Sequence, residues 1–87
     1  MIQIRFFARL REMLEVESEQ MELAGMATIA DVVEQLQQRG GVWQQAFGGG
    51  NTVMMALNQE MASAESAVAD GDEVAFFPPV TAAEAWR

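Results

Sequence analysis

Two short clusters in this chain have residue types suited to chemistry. Asp70-Gly71-Asp72 sets two carboxylates about a glycine, as a cation loop would, and Gly48-Gly49-Gly50 offers bare backbone of the kind that cradles phosphate. Neither cluster is completed by its surroundings. Two carboxylates fall short of a calcium loop, so 70–72 reads as a tight turn. A phosphate loop needs Lys-Ser/Thr leading into a helix. Here Asn51-Thr52 leads into a strand-like segment, and the glycines read as a loop between helix and strand.

The residue types that are missing decide more than the clusters do. The 87 residues contain no His, Cys, Lys or Tyr. Transition-metal ligation would fall to carboxylates and carbonyls, a poor set for zinc. Schiff-base chemistry, a neutral-pH imidazole base, thiolate chemistry and disulfides are excluded. What remains is carboxylates, hydroxyls, arginine and the chain termini. Self-contained catalysis is not expected, nor is a bound cofactor or metal.

Thirteen acidic residues against five arginines give a net charge of −8. That balance argues against nucleic acid, whose phosphates need a basic surface. It suits a basic protein partner, or solubility alone. No segment has the length and apolarity of a membrane span or a secretory leader, and a cytoplasmic location is expected. The chain has the length of one domain. With 51% hydrophobic residues it can fill a core without staples.

The elements follow from periodicity. Ile2, Ile4 and Phe6 alternate with Gln3, Arg5 and Phe7, which predicts a strand with one core face and an outer face carrying Arg5, Phe7 and Arg9. A short helical turn is expected over 10–14 and a charged edge strand over 19–24. Thr28, with Asp31 three residues on, caps a helix whose Ile29, Val32, Val33 and Leu36 form an apolar stripe. Gly40-Gly41 stops it. Residues 42–47 form a short amphipathic turn that sets Trp43 and Phe47 over one end of the core. Strands are expected over 52–58, with Val53, Met55 and Leu57 on one face, and over 61–62 after a turn at 58–60. One helical turn follows over 64–68. The last strand covers 73–77, with Val74 and Phe76 inward and Phe77 outward, and Pro78-Pro79 ends it. Periodicity alone gives an α+β fold with one main helix.

Several segments then take on a joint meaning: Phe6-Phe7-Ala8, Arg11-Glu12, Ala56-Leu57-Asn58-Gln59, and above all the unbroken run from Asp70 to Thr81 that contains Phe76-Phe77-Pro78-Pro79-Val80-Thr81. Over residues 1–81 the chain resembles the small, sulfur-carrier subunits of molybdopterin synthase, the MoaD family. The resemblance implies a ubiquitin-like β-grasp fold, a mixed sheet packed on one main helix with the terminal strands parallel at its centre. It implies a carrier subunit with no active site of its own. In the family an E1-like adenylyltransferase activates the C-terminal glycine, which becomes a thiocarboxylate. The tail then enters the large synthase subunit and gives up its sulfur for molybdopterin, in molybdenum cofactor biosynthesis. The Phe-Phe-Pro-Pro run sets the chain apart from thiamine-type carriers of the same fold.

The resemblance also assigns residues. Phe7, Arg11, Met61, Phe77, Pro78 and Pro79 would meet the large subunit, and Val80, Thr81, Ala82 and Ala83 would form the arm. For Arg11 a local ion pair with Glu12 or Glu15 is the competing expectation. The family ends in Gly-Gly; this chain carries Ala82-Ala83 and continues as Glu84-Ala85-Trp86-Arg87. Residues 82–87 are therefore an atypical tail on a domain spanning 1–81. In a tight channel each added methyl costs about 1–3 kcal/mol by overpacking, and an indole cannot follow a path shaped for glycine. Sulfur loading is expected only after processing. The alternative is a divergent β-grasp interaction module that carries no sulfur and self-associates through its tail.

Overall fold

The computed structural model describes residues 1–48 and 53–78. Their order is β1 (Ile2–Phe6), α1 (Ala8–Leu14), β2 (Ser18–Met21), α2 (Ile29–Gln37), α3 (Gly41–Phe47), β3 (Met54–Leu57), β4 (Glu60–Ala62) and β5 (Glu73–Phe77). The strands form one sheet in the order β2-β1-β5-β3-β4. β1 and β5 run parallel at its centre, and the other neighbours are antiparallel. This is the mixed-sheet β-grasp arrangement that the family resemblance implied.

Register explains the core. Ile4 lies opposite Val74 and Phe6 opposite Phe76, so the alternating apolar residues of both central strands share one face. Ile29, Val32 and Leu36 of α2 cover that face and are fully buried. Each such side chain contributes about 1.5–3 kcal/mol through removal from water. The rings interlock beyond that. Phe6 stacks on Phe76 at 6.2 Å between centroids, while Phe47 and Trp43 of α3 meet Phe76 and Phe6 edge-on at 5.1 and 5.6 Å. Trp43 and Phe47 do close one end of the core, as their spacing predicted.

α2 begins with a reciprocal cap. Thr28 Oγ1 accepts from the Asp31 amide at 3.4 Å, and Asp31 Oδ2 accepts from the Thr28 and Ala27 amides at 3.1 and 2.8 Å. Those two amides, Ala27 first, hold the Asp31 carboxyl below the usual aspartate range. At the far end Arg39 grips Glu19 of β2 through two hydrogen bonds of 2.8 and 2.6 Å. Its guanidinium also lies 4.5 Å from the Trp43 ring centroid. The main helix is thereby tied to the edge strand and to α3.

Three local expectations are corrected. β1 stops at Phe6, and Arg9 belongs to α1, not to the sheet face. The reason is Leu10 and Leu14, which sit four apart and bury together once the chain turns at Ala8, whose φ is 53°. Residues 64–68 form no helical turn. They run as a strap whose Ala64 and Ser66 carbonyls accept from the Ala30 and Ile29 amides at 2.9 and 3.0 Å. The strap thus satisfies amides that a helix start leaves unpaired. Finally, α2 ends at Gln37, ahead of the glycines. Gly40 and Gly41, at φ 75° and 55°, set the turn into α3.

Candidate functional site

The face of the sheet away from the helices is built by the other half of each strand's alternation. The registers place Phe7, Phe77 and Met54 side by side, since Phe6 pairs with Phe76 and Met54 with Phe77. The Phe7 amide donates to the Phe76 carbonyl at 3.1 Å, which extends the ladder past the end of β1. One residue pair further back lies the row Arg5, Ala75, Ala56 and Met61. The two rows make an apolar surface with small residues at its centre and large ones around it.

Its members are unevenly exposed. Phe7 is 39% and Met61 64% exposed; with Met1 they are the large apolar side chains open to solvent among the described residues. Phe77 and Met54 are half-buried, and Ala56 is buried although it points away from the core. Arg5 borders this surface. Its guanidinium lies 5.6 Å from the Phe7 ring centroid, and its Nη1 is 3.5 Å from Glu73 Oε2.

The expected docking residues Phe7, Phe77 and Met61 are therefore brought together on one face. Pro78 follows directly from β5, while Pro79, Val80, Thr81, Ala82 and Ala83 lie outside the described residues. Arg11 is not on this face. It is exposed on α1, which packs against α3 and β5, and among the described residues it forms no ion pair with Glu12 or Glu15. Sequence reading missed Met54, Ala56 and Ala75. The strand alternation held the signal: if Met55 and Leu57 face the core, Met54 and Ala56 face out.

The opposite end of the sheet is polar and spends its carboxylates on turns. Asn58 Nδ2 donates to Asp72 Oδ1 at 3.1 Å, and Asn58 Oδ1 accepts from the Glu73 amide at 3.0 Å. Asp72 also accepts from the Ala69 amide at 2.8 Å. The Asn58 amide and then the Ala69 amide hold the Asp72 carboxyl below its ordinary range. Asp70 pairs with the Met1 amine. The 70–72 cluster is thus a turn, as expected. Gly48 lies at the end of α3; Gly49 and Gly50 are outside the described residues. No helix among the described residues is long and apolar enough to cross a membrane.

Comparison with known proteins agrees with this geometry. Residues 4–81 match the ThiS family. The molybdopterin synthase sulfur carrier subunit of Haemophilus influenzae is 44% identical over 93% of this chain and 98% of its own length. That of Escherichia coli is 35% identical over the same shares. Among solved structures, a putative molybdopterin converting factor subunit 1 from Pyrococcus furiosus superposes with a TM-score of 0.74 at 27% identity, covering 91% of this chain and 97% of that one. With a family match across most of its length and full-length relatives of this kind, the chain belongs to the ThiS family, as a ubiquitin-like member of the MoaD type.

Proposed function

We propose that this chain is the sulfur-carrier subunit of a molybdopterin synthase, and that it works by presenting its C-terminal arm to a large partner subunit. The observation that carries the reading is where the apolar face lies. β5 runs from Glu73 to Phe77 and leads into Pro78, so the arm sets out beside the row of Phe7, Phe77 and Met54. A partner seated on that row is positioned to receive whatever the arm carries. The two prolines favour an extended exit. The relatives are named as subunits, which supports a second subunit as partner. Such a synthase works in the cytoplasm.

The chemistry falls to a carboxylate at the end of the arm, because no imidazole, thiol or amine side chain is available. Activation by an adenylyltransferase would make that carboxylate an acyl adenylate. Sulfide equivalents would then displace the nucleotide to give a thiocarboxylate. In this sequence Glu84 to Arg87 follow Ala83. The reading therefore requires hydrolysis of the Ala83–Glu84 bond before loading, with 1–81 as the working domain and arm. Ala82-Ala83 in place of Gly-Gly favours a second reading, a β-grasp interaction module that docks but carries no sulfur.

Intact mass separates the two. The full chain and a chain ending at Ala83 are incubated with the activating enzyme, ATP and a sulfur source. A gain of about 16 Da, sulfur replacing oxygen at the terminus, in the shorter chain only is the expected result. No gain in either chain favours the interaction module.

A further inference from the structure

The apolar face carries a charged side chain, Arg5, whose surface ion pair adds little to stability. Arg5 stands in the outward row beside Ala75, with the Phe7 ring ahead of it and Glu73 behind. It is 41% exposed and Glu73 28%, and the closest approach of guanidinium to carboxylate, from Nη1 to Oε2, is 3.5 Å. An exposed pair of this kind contributes little to folding.

Docking changes its value. A guanidinium has five donors in a planar fork. A partner seated on Phe7 would remove Arg5 from water, and Glu73 at 3.5 Å leaves most of those donors unanswered. An apolar partner surface over Arg5 would bury unsatisfied charge, which is strongly penalised. A surface that brings a carboxylate to the free edge of the fork would gain a charge-assisted pair beside the aromatic contact. We infer that Arg5 is a specificity-determining residue of the docking face, selecting a partner that combines an apolar pocket for Phe7 and Phe77 with a carboxylate set against the guanidinium. This rests on the large-subunit reading above.

The test is calorimetry of the full chain with the large synthase subunit of the same cell, at low and high salt. The proteins compared are the unaltered chain, the same chain ending at Ala83, Arg5→Leu, Glu73→Gln and Phe7→Ala. Arg5→Leu is expected to weaken binding by about tenfold or more at low salt and to flatten its salt dependence. Glu73→Gln is expected to bind at least as tightly as the unaltered chain, because it removes a competing carboxylate and leaves the fork to the partner. A residue that merely steadied the Phe7 ring would instead lose affinity with Glu73→Gln. Arg5→Leu binding within twofold of the unaltered chain, or keeping its salt dependence, would overturn the inference. If Phe7→Ala alone then loses binding, the large-subunit reading survives without it. No binding by either the unaltered chain or the same chain ending at Ala83 overturns both.

Discussion

On β5 the inward residues Val74 and Phe76 are fully buried, while their neighbours Ala75 and Phe77, one residue along, remain half exposed. Phe76 and Phe77 are the same residue type on the same strand. Phe76 is enclosed by Phe6 and Phe47. Phe77 lies in a row with Phe7 and Met54 and has no layer above it among the described residues. The difference shows that one strand can serve two ends. Its inner half holds the domain together, and its outer half leaves apolar area uncovered among the described residues. Separating the two phenylalanines by measurement is the most direct way to break this comparison.

Phe76→Ala should have the largest effect. Removing a fully buried ring from the centre of the core costs about 3–5 kcal/mol, a large part of the stability of a domain this size. Urea denaturation followed by circular dichroism should show a sharply lowered midpoint or an unfolded chain. A midpoint close to that of the unaltered protein would mean that the inner face is not the structural one.

Phe77→Ala should reverse the pattern. Its folding midpoint should fall only modestly. Affinity for the large subunit should fall by about tenfold or more if Phe77 is one of the few residues that dominate the interface. Equal losses of stability and affinity would erase the distinction between the faces. Intact binding would move the docking surface elsewhere.

The sequence made the inner face legible because burial leaves a regular mark. Ile2, Ile4 and Phe6 alternate, and Ile29, Val32 and Leu36 recur at helical spacing, so the core could be read residue by residue. The outer face was only half legible. Phe7, Phe77 and Met61 stand out as large apolar residues in outward positions. Ala56 and Ala75 are small, and Met54 is hidden inside the pair Met54-Met55. Their contribution depends on which strands lie side by side. That order comes from contacts distant in sequence: β1 beside β5 was supplied by the family resemblance and not by periodicity, while β5 beside β3 emerges only in the folded sheet. The helix α1 was misjudged at its start for a related reason. Nothing local forces the turn at Ala8; the burial of Leu10 and Leu14 does.

Thr28→Ala tests whether the inner face also depends on how α2 is started. Loss of the cap should cost about 1 kcal/mol, visible as a lower melting temperature with unchanged partner affinity. The same cap has a pH signature. Because the Asp31 carboxyl is held below its ordinary value, its stabilisation is fully present above the unfolded aspartate pKa of about 3.9. It is lost as pH falls through the lower folded value. Asp31→Asn should therefore flatten the decline of melting temperature below about pH 4. An unchanged acid profile would remove Asp31 from the account.

The smallest effect should come from the turn that carries Met61 to the outer face. Asn58 and Gln59 link β3 to β4 as a two-residue turn, with φ of 51° and 71°. Such turns need positive φ at both positions and favour Asn-Gly. Asn58 suits its place, and its side chain is also tied to Asp72 and Glu73. Gln59 is exposed and carries a Cβ in a conformation that costs a non-glycine residue about 1 kcal/mol. Gln59→Gly should relieve that strain, less the extra freedom glycine gives the unfolded chain. A net gain of a few tenths of a kcal/mol is expected, seen as a slightly higher urea midpoint with affinity for the large subunit unchanged. A gain in stability that lowered affinity would show that the position of Met61 depends on the strained turn. The outer face would then be set by backbone geometry as well as by side chains.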